Sequence, residues 1–143
     1  AAKALMFHLA MRPEFKKYQQ QIVKNAKVLA EELLKYGFNL ISGGTDNHLM
    51  LIAPTRLGIS GREAQDRLEE AGIVVNRNTI PYDTRSPFDP SGIRIGTPSV
   101  TTRGMKEKEM REIARIISAV LMEADIRSTK KAAAVLCARF PIS

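Results

Sequence analysis

The sequence predicts an α/β domain of the α+β type: a small, mostly antiparallel sheet with helices packed against it. Segments at both ends repeat apolar residues at helical spacing, whereas the middle holds short apolar runs bounded by turn residues. The length of 143 residues is that of one domain, long enough to bury roughly two-thirds of the unfolded surface without metal or disulfide staples.

Ala2 to Met11 reads as a helix that begins without a cap or an initiator methionine, as if cut from a longer chain. In residues 14–36, Phe15, Tyr18, Ile22, Leu29 and Leu33 form the stripe of an amphipathic helix. Pro13 suits its first turn, and Gly37 the left-handed position after its last. Phe38–Ser42 and His48–Ile52 read as strands joined by the loop Gly43-Gly44-Thr45-Asp46-Asn47. Ser60 and Glu63 form a capping box that opens a helix ending at Gly72. Ile73–Val75 and Ile93–Ile95 are two further short strands. Between them, Asn76 to Gly92 spans seventeen residues with three prolines and no periodicity, which favours an ordered binding loop. Met110, Ile113, Ile117, Val120 and Leu121 mark a long helix after Thr102. Ser128 caps a final one carrying Ala132, Val135 and Leu136. The predicted order is α-α-β-β-α-β-β-α-α.

Composition narrows the function. No run approaches the ~20 apolar residues of a membrane span, and the first fifteen residues do not form a secretory signal. A single cysteine, Cys137, excludes an internal disulfide and a multi-cysteine metal site, so a soluble intracellular protein is expected. The net charge of +7 sits on the two ends, +4 in 1–36 and +4 in 101–143, with −1 between them. Lys16, Lys17, Lys24, Lys27 and Lys35 lie among polar helix positions and read as a solvated face. With no Trp and 6% aromatics, a nucleic-acid platform is not expected, though a basic nucleic-acid-binding domain stays open as an alternative.

Few residues offer chemistry. His8 shares a helix with Leu5, Leu9 and Met11 and reads as a packed or interface histidine. His48 reads as capping its loop. Neither has metal-ligand or nucleophile-elbow spacing. Cys137 lies on an apolar helix face and reads as inert. Arg94 alternates with Ile93 and Ile95, so it leaves its strand on the opposite face. It is either a surface residue or a planar fork held for bidentate capture of a carboxylate or phosphate.

Four motifs in one order make the string specific: SGGTDNHL (Ser42–Leu49), VNRNTIPYD (Val75–Asp83), SPF (Ser86–Phe88) and SGIRIGTPSVTTRG (Ser91–Gly104). With Glu14–Leu33 and the ending ARFPIS, they closely resemble the C-terminal portion of serine hydroxymethyltransferase of the bacterial type. The resemblance implies a pyridoxal-phosphate enzyme of the aspartate-aminotransferase fold type, a cytoplasmic homodimer or homotetramer. Such enzymes interconvert serine plus tetrahydrofolate with glycine plus 5,10-methylene-tetrahydrofolate. On this reading residues 1–13 end a helix from a large cofactor domain, and 14–143 are the small domain. Arg94 is then the arginine that binds the substrate carboxylate, fixing the orientation of the bond to be broken. Asn78 and the Ser86-Pro87-Phe88 turn are then part of the folate site, with Phe88 an apolar contact. Asn76 and Arg77 match the motif without an assigned role.

The family's Schiff-base lysine, ring-stacking histidine and pyridine-pairing aspartate lie in motifs that do not occur here. The resemblance therefore implies that this chain alone is catalytically silent. A free-standing interaction module derived from such an enzyme is the other alternative.

Overall fold

Helix α1 (Ala2–Ala10) carries Leu5, Met6, Phe7 and Leu9 yet buries none of its residues, and a turn at Met11 leads into Pro13. His8 is accordingly exposed, bonded only to Arg12 at 3.3 Å, so the packing expected for it does not occur within the described residues. The computed structural model describes residues 1–142; Ser143, which ends the ARFPIS motif and the 14–143 unit, lies outside the described residues.

Helix α2 (Pro13–Lys35) starts at the expected proline and buries Ile22, Asn25, Ala26, Leu29, Ala30 and Leu33. Phe15 is exposed and Tyr18 half-buried, so the apolar stripe outruns the core by two turns. Gly37 has φ +83°, and the next N–H, of Phe38, closes on the Leu33 carbonyl at 3.1 Å.

Strands β1 (Asn39–Leu40), β2 (Leu49–Ala53), β3 (Asn76–Asn78) and β4 (Gly92–Gly96) form one sheet in the order β1-β2-β4-β3, every pair antiparallel. Leu40, Met50, Ile52, Ile93 and Ile95 face the core shared with α2 and α5 (Glu107–Leu121). The third strand is displaced from the expected Ile73–Val75. Ile73 is consumed in closing α3 (Gly61–Glu70): its N–H bonds the Leu68 carbonyl at 2.8 Å while Gly72 takes φ +82°. Val74 is left exposed, and pairing begins only at Asn76.

Ser60 caps α3, its hydroxyl accepting from Glu63 N–H at 3.1 Å. The Glu63 carboxylate pairs with Arg67 at 2.7 Å, so only this half of the expected box forms. Helix α4 (Pro98–Thr102) was not foreseen, because its β-branched residues have low helix propensity. The Thr101 and Thr102 hydroxyls hold it by bonding back to Thr97 and Pro98 carbonyls. Helix α6 (Ile126–Arg139) is capped by Asp125 and not by Ser128: the Asp125 carboxylate accepts from both Arg127 and Ser128 N–H. Leu136 is buried there, whereas Val135 is exposed. Arg103 clamps the far end, donating to the carbonyls of Phe140 at 2.7 Å and Cys137 at 2.8 Å. No described helix is long and apolar enough to cross a membrane.

Candidate functional site

Strand β4 is an interior strand, and its alternation buries Ile93 and Ile95 while Arg94 stands exposed on the other face. The register sets Leu51 of β2 and Asn76 of β3 directly across from Arg94, one on each side. Cross-strand partners share a face at about 5 Å, so the guanidinium stem has a hydrophobic neighbour on one flank and an amide on the other. Arg94 makes no ion pair among the described residues, a state it shares with seven other arginines; what sets it apart is its place on an interior strand. Around it lies an open depression of about 450 Å³ lined by His48, Leu49, Val74, Val75, Asn76, Arg94 and Gly96. A cationic planar fork with no acid of its own, with Asn76 across from it, is suited to a carboxylate or phosphate.

His48 is among the residues that line that depression. The capping expected of it is done by neighbours: Asn47 accepts from Leu49 N–H at 2.9 Å, and the Thr45 hydroxyl donates to the Leu49 carbonyl at 2.5 Å. The His48 carbonyl accepts from Thr97 N–H at 3.0 Å, and the residue lines the Arg94 depression.

Asn78 pairs with Gly92, two residues along β3 from Asn76, and so stands on the Arg94 face. Its amide donates to the Thr79 carbonyl at 2.8 Å. Ser86, Pro87 and Phe88 lie on the following loop and do not line the Arg94 depression. The loop is nevertheless ordered by its own bonds. Asp83 accepts from Ile80, Arg85 and Ser91 N–H and from the Ser91 hydroxyl. The Ser91 hydroxyl bond, then the N–H groups of Ser91 and Arg85, hold that carboxyl well below the usual carboxylate range. Near the loop's apex Ser86 accepts from Phe88 and Asp89 N–H, and Phe88 projects 83% exposed. The ring is thus an exposed apolar group carried on polar scaffolding.

Two residues beside Arg94, Asn76 and His48, carried no expected ligand role. Only strand register reveals Asn76; the motif match was its one signal in the sequence. An imine-forming site needs a desolvated lysine. All ten lysines are exposed on helices or at their ends, and none lines the Arg94 depression. The residues present therefore do not fit pyridoxal phosphate as an imine site; they fit an anion. Among the described residues no group of three or more His, Cys, Asp or Glu is placed to hold a metal.

A family model described as serine hydroxymethyltransferase matches residues 1–117. The match takes in the whole sheet, Arg94 and its flanking residues, and the loop stapled by Asp83. With 117 of 143 residues matched, and with them every element that builds the Arg94 face, the chain belongs to the serine hydroxymethyltransferase family.

Proposed function

We propose that this chain is the small C-terminal domain of a serine hydroxymethyltransferase, with residues 1–13 leading in from a larger domain that holds pyridoxal phosphate. The observation that carries the reading is Arg94: a strand-borne guanidinium without an acid partner, flanked by Leu51 and Asn76. In the complete cytoplasmic homodimer or homotetramer, serine plus tetrahydrofolate is interconverted with glycine plus 5,10-methylene-tetrahydrofolate. Pyridoxal phosphate, when bound there, supplies the stabilisation of negative charge at the amino-acid carbon.

This chain's residues bind and orient. Arg94 takes the amino-acid carboxylate through two parallel N–H···O bonds, which fixes both position and rotation. Asn78, at the start of the loop, offers amide hydrogen bonds to the folate. Ser86, Pro87 and Phe88 form a turn against which an aromatic ring of the folate packs. Without a lysine beside Arg94 the isolated chain is catalytically silent.

Purified complete enzyme, assayed for tetrahydrofolate-dependent serine turnover alongside the isolated 143-residue chain, tests this. Turnover by the complete enzyme and none above a blank by the chain is expected. Complete enzyme without folate-dependent turnover, or a chain that cleaves serine by itself, overturns it.

A further inference from the structure

Resting on the folate reading above, we infer that Asp83 is a positioning residue: its carboxylate ties the two ends of loop 79–91 together. It thereby sets the pose in which Asn78 and Ser86–Phe88 meet tetrahydrofolate.

Both Asp83 oxygens are spent on the loop itself. One takes the Ser91 hydroxyl at 2.6 Å and Arg85 N–H at 3.0 Å; the other takes Ser91 N–H at 2.9 Å and Ile80 N–H at 3.3 Å. Ile80 lies two residues past the end of β3, and Ser91 immediately precedes β4. One carboxylate thus fastens departure to return. The foot is also pinched sterically, since a Cβ on Gly92 would lie 2.5 Å from the Ile80 side chain and 2.9 Å from the Asn78 carbonyl.

The apex has no comparable tie. Its one ion pair, Arg85 with Asp89 at 3.0 Å, is 44% exposed on both sides and contributes little. Tyr82, beside the carboxylate, takes φ +59°, a left-handed conformation that a free chain rarely adopts. It is the third residue of a turn closed by Asp83 N–H on the Ile80 carbonyl at 3.1 Å, and the carboxylate bonds from Ile80 and Arg85 N–H bracket that turn. Fixing the loop in advance removes an ordering cost from ligand binding. Asp83 itself has no acceptor left to offer a ligand, so it acts through the loop.

The test is a split between two Michaelis constants in the complete enzyme. Wild type, Asp83→Ala and Ser91→Ala are assayed with tetrahydrofolate and serine varied in turn. A loop in its competent pose only a tenth of the time raises the apparent constant about tenfold. That rise in tetrahydrofolate KM is expected for Asp83→Ala. A smaller rise is expected for Ser91→Ala, which loses the hydroxyl bond and keeps the N–H, with serine KM unchanged in both. An unchanged tetrahydrofolate KM in either variant, or a serine KM that rises by the same factor, overturns the inference. Failure of Asp83→Ala to fold leaves Ser91→Ala to decide on the same terms. Wild-type enzyme without folate-dependent turnover overturns the functional reading instead, so the two failures are distinguishable.

Discussion

Asn25 of α2 and Thr101 of α4 meet inside the domain, the amide donating to the hydroxyl at 2.8 Å. The same amide donates to the Met105 carbonyl at 2.9 Å, and Gln21 donates to its oxygen at 2.9 Å. This wholly buried side chain is thereby satisfied, and it fastens α2 to the helix that follows the Arg94 strand. Asn25→Ala orphans buried partners and leaves a void, at a cost of about 2–3 kcal/mol. Urea unfolding of the two chains checks it. A midpoint that does not move would show the network to be energetically idle.

Arg94→Lys replaces a fork with a point charge. Because Arg94 is exposed and packs little, stability should change by less than about 0.5 kcal/mol. Serine turnover by the complete enzyme should fall by at least about 10²-fold, since misplacing the carboxylate disorients the reacting bond. Steady-state assays paired with thermal unfolding read both quantities. Near-wild-type turnover would place the carboxylate elsewhere.

Gly61 and Gly58 give a paired prediction. A Cβ at Gly61 would lie 2.1 Å from the Gly92 carbonyl oxygen and 2.8 Å from that of Pro90, main-chain atoms that cannot swing aside. A Cβ at Gly58 meets nothing within 4 Å, so only its φ of +75° opposes alanine. Gly61→Ala should therefore cost about 3 kcal/mol or more, and Gly58→Ala about 1–2 kcal/mol. Denaturation midpoints in the reverse order would mean that α3 is free to shift off the sheet.

Glu107 gives the acid dependence. A hydrogen bond from Lys24 holds its pKa down to about 2 from 4.5, helped by its own N–H and by Gln21. A carboxyl depressed on folding stabilises above its unfolded pKa, and that stability is lost as pH falls from 4.5 toward 2. Glu107→Gln should unfold at lower urea than wild type at pH 7, with the gap closing through that window. A gap constant down to pH 2 would refute the pairing.

Local signals in the sequence carried far. Pro13, Gly37, Ser60 and Gly72 act within one turn of themselves, and each does in the structure what its chemistry implies. Failures came where two local options competed or a distant partner decided. Ile73–Val75 has strand composition, yet the closing turn of α3 claims Ile73, and strand β3 is built from the polar Asn76–Asn78. Asp125 outcompetes Ser128 because a carboxylate there reaches two N–H groups. The face on which Arg94 leaves its strand was legible because alternation is local. The place of Asn76 across from it was not, since register is fixed by residues far apart in the chain.

Arg103 grips α6 only through main-chain oxygens apart from a long contact of 3.6 Å to the Cys137 sulfur. Such an anchor reads no sequence: any residues at 137 and 140 present the same carbonyls. The last helix can therefore drift in composition while keeping its berth, so long as Leu136 and its apolar neighbours stay apolar.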